Sequence, residues 1–287
     1  MTEGELEFYE LIHVAYDTAW SNTAWGKTAF GYAMDLVKFE VARRGYKSGP
    51  YYTVSLPISE VTTSVLDAWL ATYDETPATH NRRLAAISKV FHVAKQRGYT
   101  GPVPYFPRKK EAAHRVRYLS DEEEKELLCT AYDYDLRAYE LTILLLDTGM
   151  RLSEAYRLCM ADLNWTTGMI TIRQSKSGRP RSVPMTKRVK QLLNTADPKL
   201  PIKLNPQSFR NTWQKARAAM GMADDRCFVP HMLRHTCASR LVQGGVPIKF
   251  VQEWLGHASL DMTLRYAHLA PENLSAAVAV LEKHNDS

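Results

Sequence analysis

Along most of this chain apolar residues recur at intervals of three and four, the spacing of helices that bury one face. The first hundred residues read as helices near 4–20, 27–45 and 59–73 and a longer one near 79–98, with no strand between them. In that longer helix Leu84, Ile87, Val90, Phe91 and Ala94 form the apolar side, while Arg82, Arg83, Lys89 and Lys95 take the remaining arcs. Gly98 and Gly101 end it, and the stretch 101–117, with three prolines and six basic residues, reads as an extended linker that would reach about 55 Å when fully stretched. Helical patterning resumes at Ser120, which forms a capping box with Glu123 and is followed by Asp121 and Glu122, both favourable at a helix N-terminus. The apolar run Leu141–Leu146 suits a buried helix ending at Gly149, with a new helix from about 152. Then the period shortens to two. Residues 169–174 and 181–185 read as a small hairpin turning near Gly178, before helices resume near 206–220, 230–243, 247–255, 260–268 and 272–282.

A length of 287 residues with 45% hydrophobic and 24% charged residues suits two packed domains. The expected architecture is mainly α with a small antiparallel sheet (α+β). A helical domain over 1–100 and a basic linker over 101–117 precede a mostly helical domain over 118–287 with a tail helix at 272–283. No apolar run is long enough for a membrane span, and the acidic N-terminus is unlike a secretory signal, so the expectation is a cytoplasmic protein with no membrane partner. Cys129, Cys159, Cys227 and Cys237 are too scattered for a zinc site or a disulfide scaffold and are expected to be reduced core residues.

The net charge of +6 conceals opposing blocks. Residues 1–78 carry −6 and residues 118–147 carry −7, whereas 79–117 set ten Lys and Arg against the single acid Glu111, and 173–217 set twelve against Asp197. A phosphate backbone rewards such blocks, because each neutralised phosphate releases a counterion; the plainer alternative is a solvated basic face. Candidate contacts to double-stranded DNA are Arg82, Arg83, Lys89 and Lys95 on the long helix. To these the linker adds Arg108, Lys109, Lys110, Arg115 and Arg117, and the hairpin adds Arg173, Arg179 and Arg181.

Two-metal phosphoryl chemistry needs converging carboxylates, and the basic blocks nearly lack them. What the second domain offers is Arg151, Lys176 at the hairpin tip, His231 and Arg234 on one face of a helix, His257 and Tyr266. Two guanidiniums can clamp the non-bridging oxygens of a phosphate and carry the charge that grows in a trigonal-bipyramidal transition state, without metal or other cofactor. Each residue also has a plainer reading: Arg151 with Glu154 as a helix ion pair, Lys176 as exposed surface, His231 as packing at a helix start, His257 as a cap, Tyr266 as core.

The segments TGMRLSEAYRL, KSGRPRSVPM, HMLRHT and LGHASLDMTLRY follow one another as in the tyrosine recombinases, the phage integrase family, which this chain resembles over roughly 118–270. Residues 79–98 likewise resemble the last helix of that family's core-type DNA-binding domain. The resemblance implies that Tyr266 attacks a DNA phosphate, giving a 3′-phosphotyrosine and a free 5′-hydroxyl. Arg151 and Arg234 would then hold the phosphate, Lys176 would protonate the leaving oxygen, and His231 would assist proton transfer. His257 would buttress the site, with Glu154 orienting an arginine. It also implies a clamp on DNA, four protomers acting through a Holliday junction from a protein that is monomeric when free, and room for an accessory DNA-bending or directionality factor. The tail helix would dock on a neighbour or on its own domain.

Integration or excision of a phage or mobile element is the preferred role, with chromosome or plasmid dimer resolution as the alternative. The short chain ahead of the first helical domain argues against a separate arm-binding module. A different class remains open. The segment 246–269 also scans as a helix-turn-helix that a non-catalytic regulator would use, although Arg265 is its second helix's one Lys or Arg and Asp261 opposes a duplex.

Overall fold

The computed structural model describes residues 6–23, 25–45, 55–111, 116–173, 180–194, 202 and 204–271. The chain divides into two compact units, Met1–Ala113 and His114–Ser287. No described helix is long and apolar enough to cross a membrane.

The first unit is helical: α1 (Phe8–Ala15), prolonged by a wider π-type turn over Tyr16–Trp20, then α2 (Gly26–Arg43), α3 (Thr63–Leu70) and α4 (Pro77–Gln96). Thr76 caps α4 and Pro77 occupies its first turn, where a missing N–H costs nothing. The expected stripe is present, since Leu84, Ile87, Val90, Phe91 and Ala94 are all buried. The stretch after α4 is extended but not a free linker. Asn81 exchanges two hydrogen bonds with the backbone of Lys109 (2.8 and 2.9 Å), His80 Nε2 pairs with the Pro107 carbonyl oxygen (3.1 Å), and Phe106 packs on the first unit's core.

In the second unit the foreseen capping box is made: Ser120 Oγ accepts from the Glu123 N–H, and the Glu123 carboxylate accepts from the Ser120 N–H. It opens α5 (Asp121–Tyr134), which is followed by α6 (Leu136–Thr148), α7 (Leu152–Ala155) and, further on, α8 (Lys187–Asn194) and α9 (Pro206–Ala219). The unit closes with α10 (His231–Gln243), α11 (Ile248–Leu255), α12 (Asp261–Leu264) and a 3₁₀ turn at Ala267–Leu269. Helix α6 ends at Gly149 in the left-handed conformation. Helix α10 is buried almost all round, by Met232, Leu233, Arg234, Thr236, Cys237, Ala238, Ser239 and Val242, as befits the central helix of a core.

The hairpin is present as β2 (Met169–Ile172) and β3 (Arg181–Pro184), antiparallel with Ile170 opposite Val183, and a two-residue strand β1 (Leu163–Asn164) adds to β2. Neither β1 nor α8 is foreseen. Two residues show no period, and the buried positions of α8 are only Val189 and Leu193 in a basic stretch. The cysteine expectation needs correction: only Cys237 is buried, Cys159 is half-buried, and Cys129 and Cys227 are exposed, though all four are free thiols. Residues 272–283, the expected tail helix, lie outside the described residues.

Candidate active site

Four elements of the second unit converge on one cavity of about 390 Å³, lined by Arg151, His231, Arg234, His235, His257, Ala258, Met262, Arg265 and Tyr266. All the expected catalytic side chains except Lys176 are therefore brought together from positions spread between the end of α6 and the turn after α12. Lys176 lies outside the described residues, as do Arg115 and Arg179.

Arg151 follows the chain reversal at Gly149 and stands at the N-terminus of α7. Its backbone N–H and its Nη1 both donate to the Glu154 carboxylate, each at 2.8 Å. The ion pair of the plainer reading thus exists, and the same arginine faces the cavity. Glu154 also accepts two hydrogen bonds from Arg181 (3.2 and 2.7 Å), whose Nε donates to the Trp254 carbonyl (3.0 Å). Burial pushes the Glu154 carboxyl up, but the hydrogen bonds and charges of Arg181 and Arg151 outweigh it and hold it down at about 2. Glu154 is a permanent anion behind the cavity wall, and it sets Arg151.

Arg234 is 2% exposed. Its two Nη groups donate to the carbonyl oxygens of Gly149 (2.7 Å), the C-cap of α6, and Leu255 (2.6 Å), the last residue of α11. Burial, and then the nearby charges of Arg151 and Arg181, lower its pKa. His257 follows the left-handed Gly256, and its Nδ1 is engaged by Thr263 Oγ1 at 2.7 Å, which leaves Nε2 to meet anything in the cavity. Burial and the neighbouring arginines hold the ring down at about 3, hence neutral. His231, at the start of α10, is likewise lowered by desolvation and by Arg234, Arg151 and Arg265.

Tyr266 is 1% exposed and packs with Ala238, Val242, Val251 and Leu255, so it is core as well as cavity wall. Burial pushes its phenol up to about 12. Its hydroxyl bonds to Nδ1 of His235 at 2.6 Å. His235 and Arg265 are the residues that sequence reasoning missed. His235 lies four positions after His231, on the same helical face within HMLRHT, and that spacing was the available signal. Arg265 was counted only as a groove contact. Among the described residues no carboxylate lines the cavity, whose walls carry three arginines, three histidines and a tyrosine, so it suits an anion.

The groove-reading helix is corrected. Helix α12 spans only the four residues Asp261–Leu264, a single turn, too short to lay a reading face along a major groove. Several assigned DNA contacts also change character. Arg83 is buried in ion pairs with Glu75 (2.8 Å) and Asp35 (3.4 Å), and Arg181 is buried on Glu154. Arg117 pairs with Glu123 and Asp225, and Arg173, still exposed, pairs with Asp162 (2.6 Å). The carboxylates that claim them lie elsewhere in the chain, where a running charge sum does not register them. Arg82, Lys95, Arg108, Lys109 and Lys110 are exposed and Lys89 is half-buried, with no ion pair to any of them among the described residues.

Comparison with known proteins bears on the family and the fold. The model of the phage integrase family matches residues 117–273. The chain is 29% identical over 175 residues to tyrosine recombinase XerA of Pyrococcus furiosus, covering 56% of this chain and 60% of that protein. It is 31% identical over 231 residues to the integrase of Escherichia phage P2, covering 77% and 65% respectively. It therefore spans less than two thirds of the length of these relatives. Among solved structures, the Tn1549 transposon integrase in complex with transposon right-end DNA superposes with a TM-score of 0.73 at 19% identity, over 98% of this chain and 100% of that one. XerH bound to difH DNA gives 0.68 at 20%, over 96% and 85%. These two likenesses speak for the fold.

Proposed function

This chain belongs to the phage integrase family, and from that premise we propose that it cuts and rejoins DNA strands through a covalent bond between Tyr266 and a strand phosphate. The observation that carries the proposal is the convergence of Arg151, His231, Arg234, His257 and Tyr266 on one anion-suited cavity. A phosphodiester held there would be met by Arg151 and Arg234, which are fixed by Glu154 and by two backbone carbonyls and so need no reorganisation as charge develops. A phenolate is a better leaving group than an alkoxide, so the phosphotyrosine conserves the energy of the broken bond and rejoining needs no nucleotide. Lys176 is proposed as the acid for the leaving 5′-oxygen.

Exposed Arg82, Lys95, Arg108, Lys109 and Lys110 are proposed to carry part of the backbone contact in the first unit. The biological role we propose is integration or excision of a mobile element, by four protomers on two sites. Incubation with a plasmid carrying the DNA that flanks the gene, followed by denaturing electrophoresis, tests the chemistry. The wild type should leave a covalent protein–DNA band that Tyr266→Phe lacks; a band that persists in Tyr266→Phe overturns the assignment.

A further inference from the structure

Resting on the strand-cleavage reading, we propose that Thr263 is a positioning residue of that step: its buried hydroxyl fixes the tautomer of His257 and ties that ring to the segment that carries Tyr266. Thr263 is 0% exposed although α12 has only a single turn, and its Oγ1 lies 2.7 Å from His257 Nδ1. The backbone of His257 is pinned separately. Its N–H donates to the Gln252 carbonyl oxygen (3.1 Å), and its own carbonyl oxygen accepts from Gln252 Nε2 (3.2 Å). The ring is held at Nδ1 by Thr263, and Nε2 is left for the cavity that His257 lines.

A hydroxyl can donate to an imidazole nitrogen or accept from it, and 2.7 Å suits either. The ligand decides between them. Burial, with Arg234, Arg151, Arg265 and Arg181 nearby, keeps the ring neutral, so it carries one N–H. The non-bridging oxygen of a phosphodiester only accepts, so its contact with His257 needs that N–H on Nε2. Nδ1 is then the nitrogen that accepts from Thr263. Without the hydroxyl nothing selects this tautomer, and the other one turns a lone pair on the phosphate.

The same residue also holds the nucleophile's backbone. The Thr263 carbonyl oxygen accepts from the Tyr266 N–H (3.0 Å), while the Thr263 N–H donates to the Leu260 carbonyl oxygen (2.7 Å). Side chain and main chain of one residue therefore join the cavity-facing ring to the turn that ends in Tyr266. A displacement of α12 would withdraw the nucleophile and free the ring of His257 together. No bond to the substrate is made or broken at Thr263, which acts only through His257 and Tyr266.

The test measures the rate of covalent adduct formation, with protein in saturating excess over a duplex of the gene's flanking DNA, for the wild type, Thr263→Val, Thr263→Ser, His257→Phe and Thr263→Val with His257→Phe. Thr263→Val should slow cleavage about 10- to 100-fold, and Thr263→Ser, which keeps the hydroxyl, should stay within about threefold of the wild type. Valine should cost nothing further once His257 is gone, because the ring it sets is absent. Nitrogen NMR of the histidine rings in the DNA-bound Tyr266→Phe variant, with His257→Phe identifying the signal, should show the proton on Nε2. A wild type without adduct sinks the recombinase reading itself. With adduct in the wild type, the role of Thr263 alone is overturned by a valine variant that cleaves at the wild-type rate, by serine as slow as valine, by a valine loss as large without His257 as with it, or by a proton on Nδ1.

Discussion

Two arginines are buried to a similar degree, one in each unit, and their surroundings are opposite. Arg83, 8% exposed, donates to Glu75 and Asp35 and lies 3.6 Å from the centre of the Tyr73 ring, with the rings of Tyr32 and Trp69 also at hand. Burial works against its charge, but Glu75, Tyr73 and Asp35 outweigh it and its pKa is raised. Among the described residues Arg234, 2% exposed, hydrogen-bonds to carbonyl oxygens and to no carboxylate, and its pKa is lowered. The first cation is part of a finished structure, whereas the second is held in place by neutral oxygens, with Glu154 offsetting only part of the opposition from burial and the neighbouring arginines. A buried cation whose hydrogen bonds fix its position while no carboxylate touches it is waiting for an anion from outside.

The comparison breaks if the two positions respond alike. Arg234→Gln should cost about 10³-fold in adduct formation, on the scale of losing one transition-state donor, with little loss of folding stability because a buried charge that is only partly offset is removed. Arg83→Met should destabilise the first unit by about 3 kcal/mol by leaving Glu75 unpaired. Urea unfolding of both variants beside the adduct assay decides it, and equal losses of stability would refute the distinction.

Glu154 sharpens the same contrast, since it answers Arg151 and Arg181 but makes no hydrogen bond to Arg234. Its folded pKa, about 2, lies below that of an unfolded glutamate, so its contribution is complete above about pH 4.5 and is lost as the pH falls from there toward 2. The shift corresponds to about 3 kcal/mol. Over that window the wild type should lose this much more stability than Glu154→Gln, and parallel acid curves would show that the carboxylate is not held by its arginines.

What could be read from sequence and what could not follow one physical division. The stop at Gly149, the cap at Ser120 and the stripe of α4 depend on neighbours a few positions away. The convergence of Arg151, His231, Arg234, His257 and Tyr266 was expected from the order of motifs. The fate of a charge depends on partners that only folding supplies. Arg181 meets Glu154 across 27 positions and Arg83 meets Asp35 across 48, so both passed for free cations. His235 had a legible spacing from His231, but its aim at Tyr266, 31 residues away, did not.

The smallest expected effect concerns how Arg181 is kept in line. Gly256 has φ +66, a left-handed backbone that costs an L-residue about 1 kcal/mol. A Cβ there would also stand 2.7 Å from Arg181 Cδ and 3.1 Å from its Nε. Gly256→Ala should therefore lower the melting temperature by a few degrees, about 2–4 °C for each kcal/mol in a unit of this size. It should also displace Arg181 from Glu154 and slow adduct formation severalfold. The two causes separate in a double-mutant cycle with Arg181→Met. Removing the long guanidinium should relieve the clash and leave only the backbone cost, so the alanine should destabilise less in that background. An undiminished cost would mean that the close approach of Gly256 serves the backbone turn into His257 and does nothing to seat Arg181.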